Sequence, residues 1–254
     1  MTEMSPKTAL VTGAGIRVGR AIALDLARHG WQIAVHYNRS RAPAEEVVDE
    51  IRAHEGRAVA LRADLSHEKE ASRLVPRAAE ALGPLTCLVN NAARFETDTV
   101  NSATWESWDT HMKVNLRAPF VLIQAFAAQL PDGAAGNVIN LIDQRVWSLT
   151  PDFTSYTVSK AGLWTLTRTL ALALAPRIRV NAVGPAPILP SRRQTQAQFD
   201  AQCAQTPLGR STTPEEITEA VRFILGAPAL TGQMIALDGG QHLGKVPPDP
   251  EPPK

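Results

Sequence analysis

The stretch "TALVTGAGIRVGRAIA", residues 8–23, decides how the chain folds. Its first five residues, 8–12, predict a buried strand, and helical periodicity begins at about residue 18. Between them Gly13, Gly15 and Gly19 give the spacing GxGxxxG, one residue longer than GxGxxG. Such a turn lets a diphosphate approach the N-terminus of a helix. The glycines alone also fit an ordinary strand-to-helix turn, so their position on the first strand–helix unit is what favours a dinucleotide site.

The same alternation of strand and helix continues through the chain. Strands are predicted at 8–12, 32–37, 58–63, 87–91, 137–142, 178–183 and 234–238. Helices are predicted at 18–29, 42–55, 68–82, 104–129, 155–175 and 214–226. Strands that are apolar on both faces, each followed by a helix, indicate a parallel sheet covered on both sides. We therefore expect one α/β domain over residues 1–243 of the 254-residue chain.

Two regions interrupt this alternation. Residues 184–213 are polar and contain several prolines, and they follow the carboxyl end of a predicted strand. Because ligands bind at that edge of an open α/β sheet, we expect this segment to be a mobile lid over a site. Residues 244–254 are proline-rich, and we expect them to be disordered.

Composition argues against several classes of protein. The chain has 26 Lys and Arg against 25 Asp and Glu, so its charge gives no reason to expect nucleic acid or an anionic membrane as a partner. Its two cysteines, Cys87 and Cys203, have no metal-ligand spacing and cannot form a disulfide framework, and no metal is expected. No apolar signal segment and no run of about twenty apolar residues is visible. We expect a soluble, cytoplasmic protein.

The segment "HYNRS", residues 36–40, indicates the cofactor, because it ends the second predicted strand. A site for NAD usually has Asp or Glu there, about twenty residues past the glycine turn, to bind the ribose 2′-hydroxyl. Here Arg39 stands at that distance, and Glu45 is the next acid. A guanidinium beside a hydroxyl suits a 2′-phosphate, so NADP(H) is predicted, with a solvated basic loop as the alternative. The predicted contacts in this segment are His36, Tyr37, Asn38, Arg39 and Ser40. Arg17 in the glycine turn adds positive charge near the diphosphate or the substrate.

A candidate proton donor lies in "LIDQRVWSLTPDFTSYTVSK", residues 141–160. Tyr156 and Lys160 are four residues apart in a predicted helix, so both side chains reach the same face. A lysine ammonium beside a phenol favours the phenolate, which predicts a lowered pKa for Tyr156. The spacing YxxxK is common on helices by chance, and its position after the fifth predicted strand is what favours a catalytic role.

Six motifs together resemble the short-chain dehydrogenase/reductase family. They are "TGAGIRVG" (12–19), "ADL" (63–65), "NNA" (90–92), Asn115 in "VNLRAPF", "YTVSK" (156–160) and "RVNAVGP" (179–185). The resemblance covers about residues 7–242 and implies a single Rossmann-type domain with a seven-stranded parallel sheet. It implies catalytic roles for Asn115, Tyr156 and Lys160. The cofactor contacts it implies are Gly13, Arg17, Val18, Gly19, Asp64, Leu65, Asn91, Ala92, Tyr156, Lys160 and Pro185. Pairing through the helices at about 104–129 and 155–175 is implied as well, in a homotetramer or a homodimer.

Asp143 stands where this family usually has a serine that donates a hydrogen bond to a developing oxyanion. An ionised carboxylate repels an oxyanion at about 4 Å by about 4 kcal/mol at an effective dielectric near 20, roughly a thousandfold in rate. Three explanations stay open: the reaction forms no oxyanion, Asp143 holds a proton, or the protein is not a reductase of this type. Asp143 can also be a capping residue that points away from the site.

Reduction of a ring C=N suits Asp143 best, because the nitrogen beside the reduced carbon must receive a proton. An aspartate at this position is similar to the pteridine reductase and dihydromonapterin reductase branch of the family. Arg17 and the "HYNRS" segment resemble the same branch, and Phe95 matches the aromatic residue that stacks on the pterin. For Phe95 the alternative is a core aromatic under the loop. The substrate site that the resemblance implies consists of Arg17, Phe95, Asp143 and Tyr156.

The sequence therefore predicts an NADPH-dependent reductase of a pterin or a similar flat C=N heterocycle. In this interpretation Tyr156 donates the proton and Lys160 tunes it. Asp143 positions or relays the proton, and Asn115 holds a water in the relay. The alternatives are a generic reductase of ketones or 3-oxoacyl thioesters and a non-enzymatic NADP(H)-binding sensor, which has no need of a proton-donating pair.

Overall fold

One parallel sheet organises the molecule. The computed structural model describes residues 7–186, 188–190 and 194–244. Seven strands of this part pair in the order β3-β2-β1-β4-β5-β6-β7, all parallel. They are β1 (Thr8–Val11), β2 (Gln32–Tyr37), β3 (Ala58–Arg62), β4 (Cys87–Asn90), β5 (Gly136–Leu141), β6 (Ile178–Pro185) and β7 (Met234–Leu237). The strand order reverses between β1 and β4, which places a binding crevice at their carboxyl ends. The predicted fold class is confirmed.

Helices cover both faces of the sheet. In the described part of the chain they are α1 (Arg17–Arg28), α2 (Arg41–Ala53), α3 (Glu68–Leu82), α4 (Trp105–His111), α5 (Ala118–Gln129), α6 (Thr154–Leu174), α7 (Gln196–Ala204) and α8 (Pro214–Gly226). On one face α1, α2 and α8 pack around fully buried Ile22 and Ile224. On the other face α3, α5 and α6 pack around Leu74 and Phe126. Burial of these two apolar layers is the main stabilising contribution to the fold.

Two elements differ from the sequence prediction. The single helix expected at 104–129 is interrupted by a π-helix, Met112–Arg117, between α4 and α5. Wider turns of this kind frequently mark functional sites, and this one contains Asn115. Inside the segment 184–213, where no helix was predicted, α7 forms because Thr195 and Gln198 make a capping box at its start.

Two predictions concern residues near the edges of the described structure. The proline-rich segment 244–254 lies outside the described residues except for Gly244, and residues 187 and 191–193 of the predicted lid lie outside them as well. Within the described ranges, no helix combines the length and the apolar character needed to cross a membrane.

Candidate active site

The glycine turn after β1 is held tightly against the end of β4. Asn91 donates from Nδ2 to the carbonyl oxygens of Thr12 at 2.8 Å and Gly13 at 3.3 Å. Gly13 has a φ of +65°, in the left-handed region that favours glycine. A β-carbon at Gly19 would lie 2.2 Å from the Gly13 carbonyl oxygen and 2.5 Å from Nδ2 of Asn91. Position 19 therefore accepts only glycine while the turn keeps this shape.

A cleft with a volume of about 640 Å³ opens beside the glycine turn. Most of the predicted cofactor contacts line it, namely Gly13, Arg17, Val18, Gly19, His36, Tyr37, Asn38, Arg39, Ser40, Asp64, Leu65, Asn91 and Ala92. Tyr156, Lys160 and Pro185 were also predicted as contacts but are not among its lining residues. Gly15 of the predicted diphosphate turn lines it as well, and the lining residues that were not predicted are Ile16, Ser66, Ala93, Arg94, Thr110 and Val114. Three arginines, at positions 17, 39 and 94, make the cleft suited to an anion.

Two side chains fix the walls of this cleft. His36 is buried, accepts a hydrogen bond at Nδ1 from the Gly13 amide at 3.0 Å, and places Nε2 3.0 Å from the Ala63 carbonyl oxygen. Burial lowers the pKa of His36 to about 4, so the ring is neutral, and its two hydrogen bonds stabilise the glycine turn. Asp64 accepts hydrogen bonds at Oδ1 from the amide and the hydroxyl of Ser66 at 2.9 and 2.7 Å. Burial alone would raise the pKa of Asp64, but these hydrogen bonds outweigh it and the pKa is lowered.

Arg17 links the glycine turn to the segment that follows β6. Its guanidinium donates to the carbonyl oxygens of Pro190 at 3.1 Å and Leu189 at 3.2 Å. The sequence placed this side chain near the diphosphate or the substrate, and the structure places it at the cleft but engaged with the predicted lid. Arg17 thus ties the glycine turn at the cleft to residues 189–190.

The candidate proton donor and the carboxylate meet at the end of β5. The Tyr156 hydroxyl donates to Oδ2 of Asp143 at 2.9 Å. The other oxygen, Oδ1, accepts from the Arg145 amide at 2.9 Å and so caps a short 3₁₀ turn. Lys160 donates from Nζ to the Leu141 carbonyl oxygen at 2.7 Å and is buried. Asp143 therefore caps a turn, as the alternative interpretation had it, and at the same time faces Tyr156.

The prediction of a lowered pKa for Tyr156 is wrong. Burial raises the pKa of this phenol well above its ordinary value, and the adjacent Asp143 carboxylate raises it further. Burial also raises the pKa of Asp143 and lowers that of Lys160 to about 8. The ammonium bonds to a carbonyl oxygen, not to the phenol, while a carboxylate contacts the phenol directly. Tyr156 is consequently a protonated donor in the resting site.

Asn115 ties the loop after β4 to the catalytic helix. Its Nδ2 donates to the Arg94 carbonyl oxygen and to Oγ of Ser159, each at 3.0 Å, and its Oδ1 accepts from the Arg94 amide at 2.8 Å. Both amide protons of Asn115 are thus donated to protein groups. Ser159 lies one residue before Lys160, so Asn115 connects the wall that carries Arg94 to the proton-donating residues.

Aromatic side chains line the approach to Tyr156. The Phe95 ring is 46 % exposed, which rules out the alternative of a core aromatic. It stacks on Phe153 with 4.7 Å between ring centroids and 7° between planes, and it meets Tyr156 edge-on at 4.8 Å. The Arg145 guanidinium lies 4.5 Å from the Phe153 centroid. Phe153 and Arg145 were not predicted, although Phe153 lies three residues before Tyr156 and Arg145 two residues after Asp143 in the sequence, which was a usable signal.

This arrangement defines a class of protein. A glycine turn at the switch point of a parallel sheet holds a nucleotide cofactor at the N-terminus of a helix. Together with a buried proton donor at a neighbouring strand end, it defines a Rossmann-type oxidoreductase.

Comparison with known proteins gives the family. Residues 13–242 match the family model described as enoyl-(acyl carrier protein) reductase. The chain belongs to the short-chain dehydrogenase/reductase family, as the motifs predicted. Membership of an oxidoreductase family confirms the prediction of an enzyme over that of a non-enzymatic sensor.

Solved and curated relatives cover almost the whole chain. The FolM alternative dihydrofolate reductase 1 of Brucella canis, complexed with NADP, is 46 % identical with a TM-score of 0.92 over 95 % of this chain and 96 % of its own. A blue fluorescent protein from a metagenomic library, in complex with NADPH, is 34 % identical with a TM-score of 0.86 over 92 % and 97 %. The 3-oxoacyl-[acyl-carrier-protein] reductase of Staphylococcus epidermidis is 34 % identical over 93 % of this chain and 99 % of its own. The cofactors of the two solved relatives agree with the predicted NADP(H).

Proposed function

We propose that this protein is an NADPH-dependent reductase of a pterin or a similar flat heterocycle with a C=N bond. The observation that carries the proposal is the hydrogen bond of 2.9 Å from the Tyr156 hydroxyl to Asp143. It puts a carboxylate where a carbonyl reductase needs a neutral donor, and it keeps the phenol protonated. The 46 % identity to an alternative dihydrofolate reductase supports the same substrate class.

The residues of the cleft fit a phosphorylated dinucleotide. A β-carbon at Gly19 would collide with the Gly13 carbonyl oxygen, so glycine there permits the tight turn that a diphosphate at the start of α1 requires. Arg39 and Ser40 lie in the cleft at the end of β2, where a 2′-phosphate is recognised, and Asp64 is fixed at the adenosine side. The nicotinamide of the bound, reduced cofactor supplies the hydride.

The residues of the protein donate the proton and orient the group that carries it. The substrate carbon gains the hydride, the C=N π electrons move onto nitrogen, and the nitrogen takes the proton of the Tyr156 hydroxyl. Asp143 holds that hydroxyl in place as its acceptor, and Lys160 balances the charge of the site with an ammonium held at 2.7 Å by the Leu141 carbonyl. Asn115 acts here by positioning, because its amide protons are already donated to Arg94 and Ser159.

The exposed ring of Phe95 suits a flat substrate. A heteroaromatic ring gains an offset stacking contact on such a face, of about 0.5–1.5 kcal/mol beyond the area it buries. Because Phe95 meets Tyr156 at 4.8 Å between centroids, a ring stacked there lies within reach of the phenol. Arg17 contributes by holding residues 189–190 next to the glycine turn.

A second candidate is reduction of a ketone or a 3-oxoacyl thioester. Its support is the 34 % identity to a 3-oxoacyl-[acyl-carrier-protein] reductase over nearly the whole chain. It requires Asp143 to carry a proton during turnover, and burial raises the pKa of this carboxyl in that direction.

The experiment that separates these candidates is NADPH consumption by the purified protein. The panel contains 7,8-dihydropterins, a quinonoid dihydropterin, dihydrofolate, simple ketones and a 3-oxoacyl thioester. We expect turnover of pterins that Tyr156→Phe and Asp143→Ala both abolish. Turnover of ketones or thioesters with no turnover of pterins would overturn the pterin proposal in favour of the second candidate.

We also propose self-association through α5 and α6. Apolar side chains stand exposed on these helices at Phe120, Val158 and Leu172, the last 84 % exposed. A homodimer or homotetramer that covers them is the expected state, and size-exclusion chromatography with light scattering tests it. A cytoplasmic location, with no nucleic-acid or membrane partner, stays a prediction from the sequence.

A further inference from the structure

The helix that carries Tyr156 begins without a cap of its own. The residue before α6 is Phe153, which has a φ of 61° and makes no side-chain capping hydrogen bond. Instead, Asp98 from the loop after β4 accepts from the Thr154 amide at its carbonyl oxygen, 3.1 Å, and from the Ser155 amide at Oδ1, 3.0 Å. A carboxylate at this place pairs free amides and complements the helix dipole. Asp98 therefore caps the catalytic helix from a distant part of the chain.

A directed chain of hydrogen bonds extends from this cap. The Ser155 hydroxyl donates to Oδ2 of Asp98 in a short hydrogen bond, and Nδ1 of His111 lies 2.6 Å from Oγ of Ser155. The Glu96 amide donates to Nε2 of His111 at 3.2 Å. Because Nε2 accepts a hydrogen bond, the ring is neutral with its proton on Nδ1, which donates to Oγ of Ser155. The hydrogen bonds are therefore all donated in the same direction, from the Glu96 amide through His111 and Ser155 to the Asp98 carboxylate.

The same three residue types form nucleophilic triads in hydrolases, but the order here is different. The Ser155 hydroxyl lies between histidine and aspartate and gives its proton to the carboxylate, so the imidazole cannot activate it. Ser155 and His111 are fully buried, and Asp98 is 2 % exposed. No substrate reaches this serine, and its use is therefore structural.

We propose that Asp98, His111 and Ser155 form a positioning network that fixes Phe95 relative to Tyr156 in the substrate pocket. The network binds the residue next to each of these two side chains, because Glu96 directly follows Phe95 and Ser155 directly precedes Tyr156. The His111 ring also contacts Tyr156 edge-on, with 5.9 Å between centroids. The inference rests on the proposed function in one respect, that Tyr156 is the proton donor and Phe95 the stacking face.

The charges around the network favour the same protonation states. Burial lowers the pKa of His111, and the nearby carboxylates of Asp98 and Glu96 offset this only in part, while Arg94 adds to it. Burial alone would raise the pKa of Asp98, but hydrogen bonds from Ser155 and Ser107 and the nearby His111 together outweigh it, and the pKa is lowered. Asp98 is therefore ionised and His111 neutral at pH 7, as the hydrogen bonds require.

The kinetic test uses Ser155→Ala, which removes the hydroxyl but leaves the amide that Asp98 caps. The substrate is whichever compound of the panel the wild-type protein turns over. We expect its KM to rise about tenfold, the factor that corresponds to losing one buried hydrogen-bonded link, with a smaller change in kcat and an unchanged Kd for NADPH. Ser72→Ala, which removes an exposed hydroxyl on α3, is the matched control. A KM equal to that of the control, or a parallel loss of kcat and NADPH affinity, would overturn the proposal.

A second measurement needs no substrate. In ¹⁵N-histidine spectra of the wild-type protein, assigned with His111→Phe, His111 should show the neutral tautomer protonated at Nδ1 at pH 6.5. Ser155→Ala should shift the Nδ1 resonance but keep this tautomer, because the Glu96 amide still donates to Nε2. A ring protonated at Nε2, or one charged at pH 6.5, contradicts the network. Absence of turnover with any pterin would contradict the proposed function but not the network, because these spectra test the network without a substrate.

Discussion

Replacing Asp143 with serine should move the activity from C=N substrates toward carbonyl substrates. Asp143 accepts from Tyr156 at 2.9 Å, so an oxyanion that bonds to the same phenol forms on the order of 4 Å from the carboxylate charge. Two like charges at that distance cost about 4 kcal/mol at an effective dielectric near 20, roughly a thousandfold in rate. Loss of the charge should therefore raise kcat/KM for ketones by up to about a thousandfold. Loss of the acceptor that orients the phenol should lower pterin turnover by about a hundredfold, the lower range for general acid catalysis.

The assay is NADPH consumption by wild-type protein and Asp143→Ser with one dihydropterin and one ketone, each under kcat/KM conditions. Asp109→Ser is the matched control, because it removes an exposed carboxylate that pairs with Lys113 at 2.9 Å on α4. Opposite changes for the two substrates cannot come from partial unfolding, which lowers both. An unchanged ratio of pterin to ketone turnover in Asp143→Ser would refute the reasoning.

Four further predictions concern the cofactor cleft and Lys160. Gly19→Ala should abolish NADPH binding in fluorescence titrations, because its β-carbon meets a carbonyl oxygen at 2.2 Å; an unchanged Kd would show that the turn relaxes. Arg39→Ala should weaken the binding of NADPH by about ten- to a hundredfold, the loss of one charge-assisted bond, and leave the binding of NADH unaffected. Equal losses of affinity for both cofactors would show that Arg39 does not contact the 2′-phosphate. Because the pKa of Lys160 is about 8, kcat/KM for reduction should fall as pH rises through that value, and Lys160→Met should lack this limb. Stability should rise with pH between about 8 and 10.5, since unfolded Lys160 binds a proton there that the folded protein does not, and melting curves of Lys160→Met should lack that rise.

The fold could be predicted from the sequence because the apolar patterns of the strands, the helical periodicity and the glycine turn all indicate the same α/β architecture. Apolar runs on both faces predict buried parallel strands, and the glycine turn marks where the first strand ends. The π-helix at Met112–Arg117 could not be predicted, because its one-residue widening leaves the apolar periodicity of 104–129 almost unchanged. The helix at Gln196–Ala204 is short, and the prolines and polar residues around it hide its pattern.

The residues of the candidate site were largely visible in the sequence, but their protonation was not. A spacing of four residues puts Tyr156 and Lys160 on one helical face, yet it says nothing about what each side chain contacts. In the folded chain burial and the adjacent Asp143 carboxylate raise the pKa of the phenol, and Lys160 bonds to the Leu141 carbonyl instead, so the pKa shift is the reverse of the expected one. The cap from Asp98 depends on contacts between residues far apart in the chain, and no local pattern predicts those.

The raised pKa of Tyr156 bears on which atom the site protonates. A phenol whose proton is held by burial and by the Asp143 carboxylate is a weak acid, and it gives that proton only to a strong base. A nitrogen that receives the electron pair of a C=N bond is a stronger base than the alkoxide formed from a ketone, since nitrogen is the less electronegative atom. Moreover, as nitrogen takes the proton, the phenolate that forms beside Asp143 is stabilised by the positive charge of Arg145 and by the nearby Lys160 ammonium. The weak acid and the strong base thus belong together, and a serine in place of Asp143 would remove the carboxylate charge that makes the phenol a weaker acid.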